Sequence, residues 1–173
     1  MRRPRFLNTI LGVVIAAGCA GEPATPLEPQ TPHASLLGEV TGAVAPLLLK
    51  CSELPAASAA KSIGKDGGVV SVGPYTLVVP KGALKSQVTI TAEVVSDKVN
   101  SVRFTPEGLQ FATGATLTMG YANCSGAGML LPKKIVYTTE GLKLLEVLNS
   151  LDLFSQKKVT TTINHFSRYA IAY

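Results

Sequence analysis

The segment VTITAEVV, residues 88–95, decides the fold class of this chain. Val88, Ile90, Ala92 and Val94 alternate with mostly polar residues, and a period of two is typical of a strand with one buried face. The alternation recurs at Leu117, Met119 and Tyr121, and more weakly at Val159, Thr161 and Ile163. These runs predict several half-buried strands.

Turn signals separate the runs at short intervals. They lie at residues 65–68, 73–74, 80–82, 106–108, 126–128 and 140–141. Short strands at this spacing predict an all-β sandwich or barrel. Residues 142–153 also fit a helix, because leucines occur at 144, 145, 148 and 151, and both interpretations stay open here.

Several of these pieces together resemble a known domain. They are Gly67-Gly68, the motif YTLVVPKGAL at residues 75–84, PEGLQF at residues 106–111, and Ala115-Thr116-Leu117. In this order they resemble the ZU-five domain, a module of zonula occludens proteins, netrin receptors and ankyrins. The resemblance covers about residues 62–173, and it implies an antiparallel β-sandwich and a protein-interaction role. The chain shows no ankyrin repeats or death domain, so the cytoskeletal partners of those relatives are not implied.

Residues 1–18 resemble a bacterial lipoprotein signal peptide. Three arginines precede an apolar stretch over residues 6–17, and small residues lead directly to Cys19. Twelve apolar residues are fewer than the roughly 20 that a membrane span needs. The resemblance implies that Cys19 becomes the lipidated first residue of a cell-envelope protein. Because Ala20 follows instead of aspartate, the outer membrane is favoured if the cell is Gram-negative.

Residues 19–35 are expected to be a tether. Pro23, Pro26, Pro29 and Pro32 recur every third residue, as on one edge of a polyproline II helix, although plain disorder explains the spacing equally well. Residues 36–61 form an apolar lead-in, with a first strand expected near residues 47–51 and a connecting loop at residues 55–62.

The net charge of +5 does not indicate a nucleic-acid-binding surface. Three of the sixteen basic residues lie within residues 1–18, which leaves thirteen against eleven acidic residues after cleavage. The lysine pairs 133–134 and 157–158 are expected to be solvated strand ends or edges. The expected partners are the membrane, through lipid on Cys19, and an envelope protein whose identity the sequence does not give.

Cysteine usage predicts a disulfide. If Cys19 carries lipid, Cys51 and Cys124 remain as a pair in a compartment that permits oxidation. Two free buried thiols are the alternative. The spacing of cysteines and histidines predicts no metal site, and no cofactor motif is present.

One tripeptide suggests chemistry. His165-Phe166-Ser167 matches the self-cleaving tripeptide of a death-domain adaptor in the ZU-five family and of a nuclear-pore protein. The resemblance implies attack by Ser167 on the Phe166 carbonyl, with His165 as general base. Polar residues at the start of a last strand are the alternative, with Tyr169, Ile171 and Tyr173 on one face and Ala170 and Ala172 on the other.

No other enzyme motif is present, so the expected function is a non-catalytic interaction or structural module. A glycan-binding module is a further alternative, because sandwich domains often bind sugars on exposed aromatic rings. The chain has no tryptophan, so this alternative depends on an exposed cluster of Tyr75, Tyr121, Tyr137 and Tyr169.

Overall fold

A computed structural model describes residues 48–173 and shows eleven strands in that range. The strands are β1 (Ala57–Ile63), β2 (Gly68–Val72), β3 (Tyr75–Val79), β4 (Val88–Val95), β5 (Ser101–Thr105), β6 (Gln110–Gly120), β7 (Lys134–Thr138), β8 (Leu144–Val147), β9 (Ser150–Leu153), β10 (Lys158–His165) and β11 (Arg168–Ala172). Two short 3-10 helices cover Ala127–Leu130 and Phe154–Gln156.

The strands form two antiparallel sheets that pack face to face. The six-stranded sheet has the order β1-β4-β5-β11-β7-β8, and the five-stranded sheet has the order β2-β3-β6-β10-β9. The predicted all-β antiparallel sandwich is therefore confirmed. The signal peptide, Cys19, the tether and residues 36–47 of the lead-in lie outside the described residues.

The predicted alternation places side chains between the sheets. Ile90, Ala92 and Val94 of β4 are buried in one cluster with Leu117 and Met119 of β6. Strand β11 is buried on both faces, and its residues alternate between the two faces as expected for a last strand. Tyr169 and Ile171 lie in the main core, whereas Ala170 and Ala172 join a smaller cluster with Leu48 and Val136.

The turns follow from glycine at positions that disfavour a side chain. Gly67, between β1 and β2, has a φ of +76°, and a Cβ atom there would lie 2.3 Å from the Val79 carbonyl oxygen. Gly82, which follows β3 in the motif at residues 75–84, has a φ of +82°, a conformation that glycine adopts more readily than other residues. These turns let consecutive strands reverse within a few residues.

Two predictions before residue 63 are wrong. Residues 55–62 are not a loop, because β1 spans Ala57–Ile63 and pairs with β4 along its whole length. Its alanines and serines lack apolar alternation because six of its seven residues are exposed or half-buried at a sheet edge. In place of the strand expected near residues 47–51, isolated bridges form at Leu48, Lys50 and Cys51.

The helical interpretation of residues 142–153 is also wrong, because this stretch holds β8 and β9. Strand β8 pairs with β7 in the six-stranded sheet, whereas β9 pairs with β10 in the five-stranded sheet. The chain therefore changes sheets between Val147 and Ser150. We call residues 144–153 the switching strand.

Candidate functional site

The tripeptide His165-Phe166-Ser167 lies where the chain crosses from β10 in one sheet to β11 in the other. The Phe166 ring is buried, with its centroid 5.2 Å from that of Phe104 and 5.1 Å from that of Phe111. The Phe166 amide donates to the Leu109 carbonyl. Phe166 is thus an architectural residue that fills the interior at the crossing.

Two of the groups that self-cleavage requires, the His165 ring and the Phe166 carbonyl, are held by other partners. The His165 ring packs edge-on against Tyr137, with centroids 4.9 Å apart, and the Tyr169 hydroxyl donates to the His165 carbonyl. The Phe166 carbonyl accepts a hydrogen bond of 3.2 Å from the Gly108 amide. Among residues 48–173, no hydrogen bond joins the His165 imidazole to the Ser167 hydroxyl.

The four tyrosines do not form an exposed platform. Tyr75, Tyr121 and Tyr169 are buried, and Tyr137 is half-buried. Burial raises the pKa of all three buried phenols well above the ordinary tyrosine value. The expectation on which the glycan-binding alternative depended is therefore wrong.

Lys133 was expected to be solvated, but it is fully buried. Its ammonium group donates to the carbonyls of Met129 and Leu131 and lies 5.4 Å from the centroid of the Tyr121 ring. Desolvation lowers the pKa of this ammonium group. Lys133 thus holds the loop that contains Met129 and Leu131 against the sandwich. Nothing in the sequence distinguishes this buried lysine from its neighbour Lys134.

Asp152, in the switching strand, forms hydrogen bonds with Tyr121 and Lys133. Its carboxylate accepts a hydrogen bond of 2.6 Å from the Tyr121 hydroxyl and one of 2.8 Å from the Lys133 amide. Both contacts satisfy polar groups at the margin of the core.

Arg168 is a second buried cation that the sequence did not reveal. It is 5% exposed and forms an ion pair of 2.6 Å with Asp97. It also donates to the Ser101 hydroxyl and to the Glu140 carbonyl. These partners satisfy a charge that would otherwise be costly to bury, and they join the loops around β11.

Cys51 and Cys124 form the predicted disulfide, with the two sulfur atoms 2.08 Å apart. Backbone hydrogen bonds hold the same segment: Cys51 donates to the Lys98 carbonyl and Ser52 to the Asn123 carbonyl, each at 2.9 Å. Cys51 and Ser52 are therefore fixed to one end of the sandwich by the disulfide and by backbone hydrogen bonds.

The switching strand follows β7 while it moves between sheets. The Leu148 amide donates to the Ile135 carbonyl at 3.0 Å, and the Ser150 hydroxyl accepts from the Ile135 amide at 2.9 Å. Asp152 then accepts from the Lys133 amide. The Leu148 amide and the side chains of Ser150 and Asp152 thus bond to β7 or to Lys133 just before it. These contacts close this side of the sandwich.

The opposite face of the switching strand carries an apolar stripe. Leu145 is 40% exposed, Val147 is 56% exposed and Leu151 is 61% exposed. Val147 and Leu151 share one parity, so they lie on the same side of the extended chain, whereas Leu145 is the extra residue at an irregularity in the β7–β8 register. In the part of the chain that the structure describes, β8 and β9 are the outermost strands of their sheets at this side.

Exposed apolar side chains on edge strands are unusual in β-sandwiches. Natural sheets generally protect their edges with charges, prolines, bulges or covering segments, because an open edge can pair with another chain. Here β8 is the edge strand of one sheet and carries the exposed Val147, and β9 is the edge strand of the other and carries the exposed Leu151. We take the switching strand as the candidate interaction site.

Comparison with known proteins adds no assignment: neither a scan of protein-family models nor a search of curated proteins finds a match. The ZU-five resemblance therefore stays a prediction. Within residues 48–173, no helix is long and apolar enough to cross a membrane. In the same range, no group of three or more His, Cys, Asp or Glu side chains could hold a metal ion.

Proposed function

We propose that this chain is a lipid-anchored cell-envelope protein that presents a non-catalytic β-sandwich for protein interaction. The lipid is attached at Cys19, and the outer membrane is the favoured location in a Gram-negative cell. The signal-like residues 1–18 support the anchor, and the ZU-five resemblance supports the interaction role. The partner is an envelope protein that offers an extended segment with apolar side chains at alternate positions.

The observation that carries the proposal is the apolar stripe on the switching strand. An extended segment that adds to a sheet edge gains main-chain hydrogen bonds, while alternate side chains supply specificity. Val147 and Leu151 provide exposed apolar side chains on β8 and β9, and Leu145 adds a third beside the register irregularity. Full burial of such a side chain contributes about 1.5–3 kcal/mol, so two or three contacts matter for affinity.

The anchor is tested by metabolic labelling with a palmitate analogue. The wild-type chain is expected to incorporate label and to fractionate with membranes, whereas Cys19→Ala incorporates none. Cys51→Ala with Cys124→Ala serves as the control, because both cysteines lie in the folded domain and their loss leaves Cys19 intact. Equal labelling of wild type and Cys19→Ala contradicts the anchor.

The interaction site is tested by affinity purification from solubilised envelopes. Val147→Lys places a charge on the edge, and lysine at an edge opposes strand pairing. Val78→Lys is the matched control, because Val78 is 42% exposed but lies on β3, an interior strand of the five-stranded sheet. A partner that Val78→Lys recovers and Val147→Lys loses supports the proposal, and a partner that both recover equally contradicts it.

A further inference from the structure

A second apolar surface projects from one end of the sandwich. Leu130 is 88% exposed, Leu131 is 50% exposed and Phe154 is 51% exposed. The Lys133 ammonium group binds the Leu131 carbonyl and lies 6.0 Å from the Phe154 ring centroid, so these residues belong to the same end. We call Leu130, Leu131 and Phe154 the apolar tip.

The chain enters the sandwich beside this tip. Leu48 bridges to Ala172, and Ala172 pairs with Lys134, the first residue of β7. The Ser125 amide donates to the Lys50 carbonyl at 3.2 Å, and the loop with Leu130 and Leu131 follows directly. Leu48, the first residue that the structure describes, therefore lies at the end that carries the tip.

The end of the sandwich that carries the tip is rich in lysine. The Lys157 ammonium group lies 4.0 Å from the centroid of the exposed Phe154 ring. Further lysines of the loops and strand ends here are Lys50, Lys98, Lys134 and Lys158. Of the acids at this end, Asp97 is engaged by Arg168 and Asp152 by Tyr121, whereas Glu53 is exposed. The remaining positive charge suits an anionic surface.

We propose that the apolar tip inserts into the anionic lipid surface of the membrane that holds the Cys19 anchor. This inference rests on the proposed lipidation of Cys19, which brings the sandwich to the membrane. A lipid surface fits better than a protein, because a stable protein interface needs about 800 Å² per partner whereas a few projecting side chains can enter a bilayer surface. The tip then supplies a second membrane attachment that fixes the orientation of the sandwich.

The chain contains no tryptophan, so single-tryptophan variants report on the tip directly. The full mature chain is prepared with Leu130→Trp, with Phe154→Trp or with the control Val78→Trp. Each is measured in lipidated form in proteoliposomes of phosphatidylethanolamine and phosphatidylglycerol. We expect blue-shifted emission and quenching by brominated lipid for the two tip probes, and neither effect at Val78→Trp.

The unlipidated Cys19→Ser chain separates this inference from the anchor. With added anionic vesicles, it should still bind through the tip, and Leu130→Gln should weaken that binding about tenfold. Vesicles of phosphatidylcholine alone should bind less. The inference is overturned if Leu130→Trp and Phe154→Trp both show water-like emission, in the lipidated and in the Cys19→Ser chain. An equal shift of the emission maximum at Val78→Trp also overturns it. Failure of palmitate labelling instead refutes the anchor, because the vesicle assay does not depend on lipidation.

Discussion

Loss of the Cys51–Cys124 disulfide is expected to destabilise the sandwich mainly through its unfolded state. The two cysteines are 73 positions apart in sequence. For a loop of this length, the chain-entropy model gives about 4 kcal/mol at 25 °C. The native segment should survive reduction, because Leu49, Cys51 and Ser52 also donate backbone hydrogen bonds to the sandwich. A loss of this size is a large part of the 5–15 kcal/mol typical of a domain.

The assay is urea unfolding of the mature chain with Cys19→Ser, in the oxidised and the reduced state. Reduction should lower the free energy of unfolding by about 4 kcal/mol and raise the m-value, because the open chain exposes more surface. Cys51→Ala with Cys124→Ala provides a control that cannot reoxidise. A loss below about 1 kcal/mol, or loss of amide protection at Cys51 and Ser52 on reduction under native conditions, would refute this reasoning.

Two further predictions follow from buried aromatic side chains. Because the Phe166 ring is packed in the core, prolonged incubation should leave the mature chain uncut in intact-mass analysis; loss of residues 167–173 would favour self-cleavage instead. Burial raises the pKa of Tyr75, Tyr121 and Tyr169 above the unfolded value of about 10. Their contribution to stability is complete below that pH and is lost as pH rises further. Absorbance titration should therefore show these three phenols ionising only with unfolding, and three ordinary titrations in the folded chain would contradict this.

Much of the sheet pattern could be predicted because half-buried strands show a period of two in sequence. Strands β4, β6 and β10 each place alternate apolar residues in the core, as their sequences indicate. The disulfide could be predicted from cysteine number and compartment. Strand β1 could not, because an edge strand of alanine and serine buries few side chains and leaves no apolar pattern.

The candidate interaction site could not be predicted for a related reason. Within residues 144–153, Leu144 and Leu148 face the protein, whereas Leu145 and Leu151 are exposed. Because leucines lie on both faces, the sequence of this segment shows no period of two, and the leucines have a spacing that also fits a helix. Lys133 was equally hidden, since its burial depends on carbonyls of a loop and on the ring of Tyr121.

The central claim is that the switching strand of a lipid-anchored protein binds an envelope partner. Site-specific photocrosslinking in intact cells tests it most directly, with a benzophenone amino acid at Leu151 or, as the control, at Val78. We expect a crosslinked envelope protein at Leu151 that disappears when Val147→Lys is added, and no such product at Val78. No product at Leu151, or the same product at both positions, would contradict it.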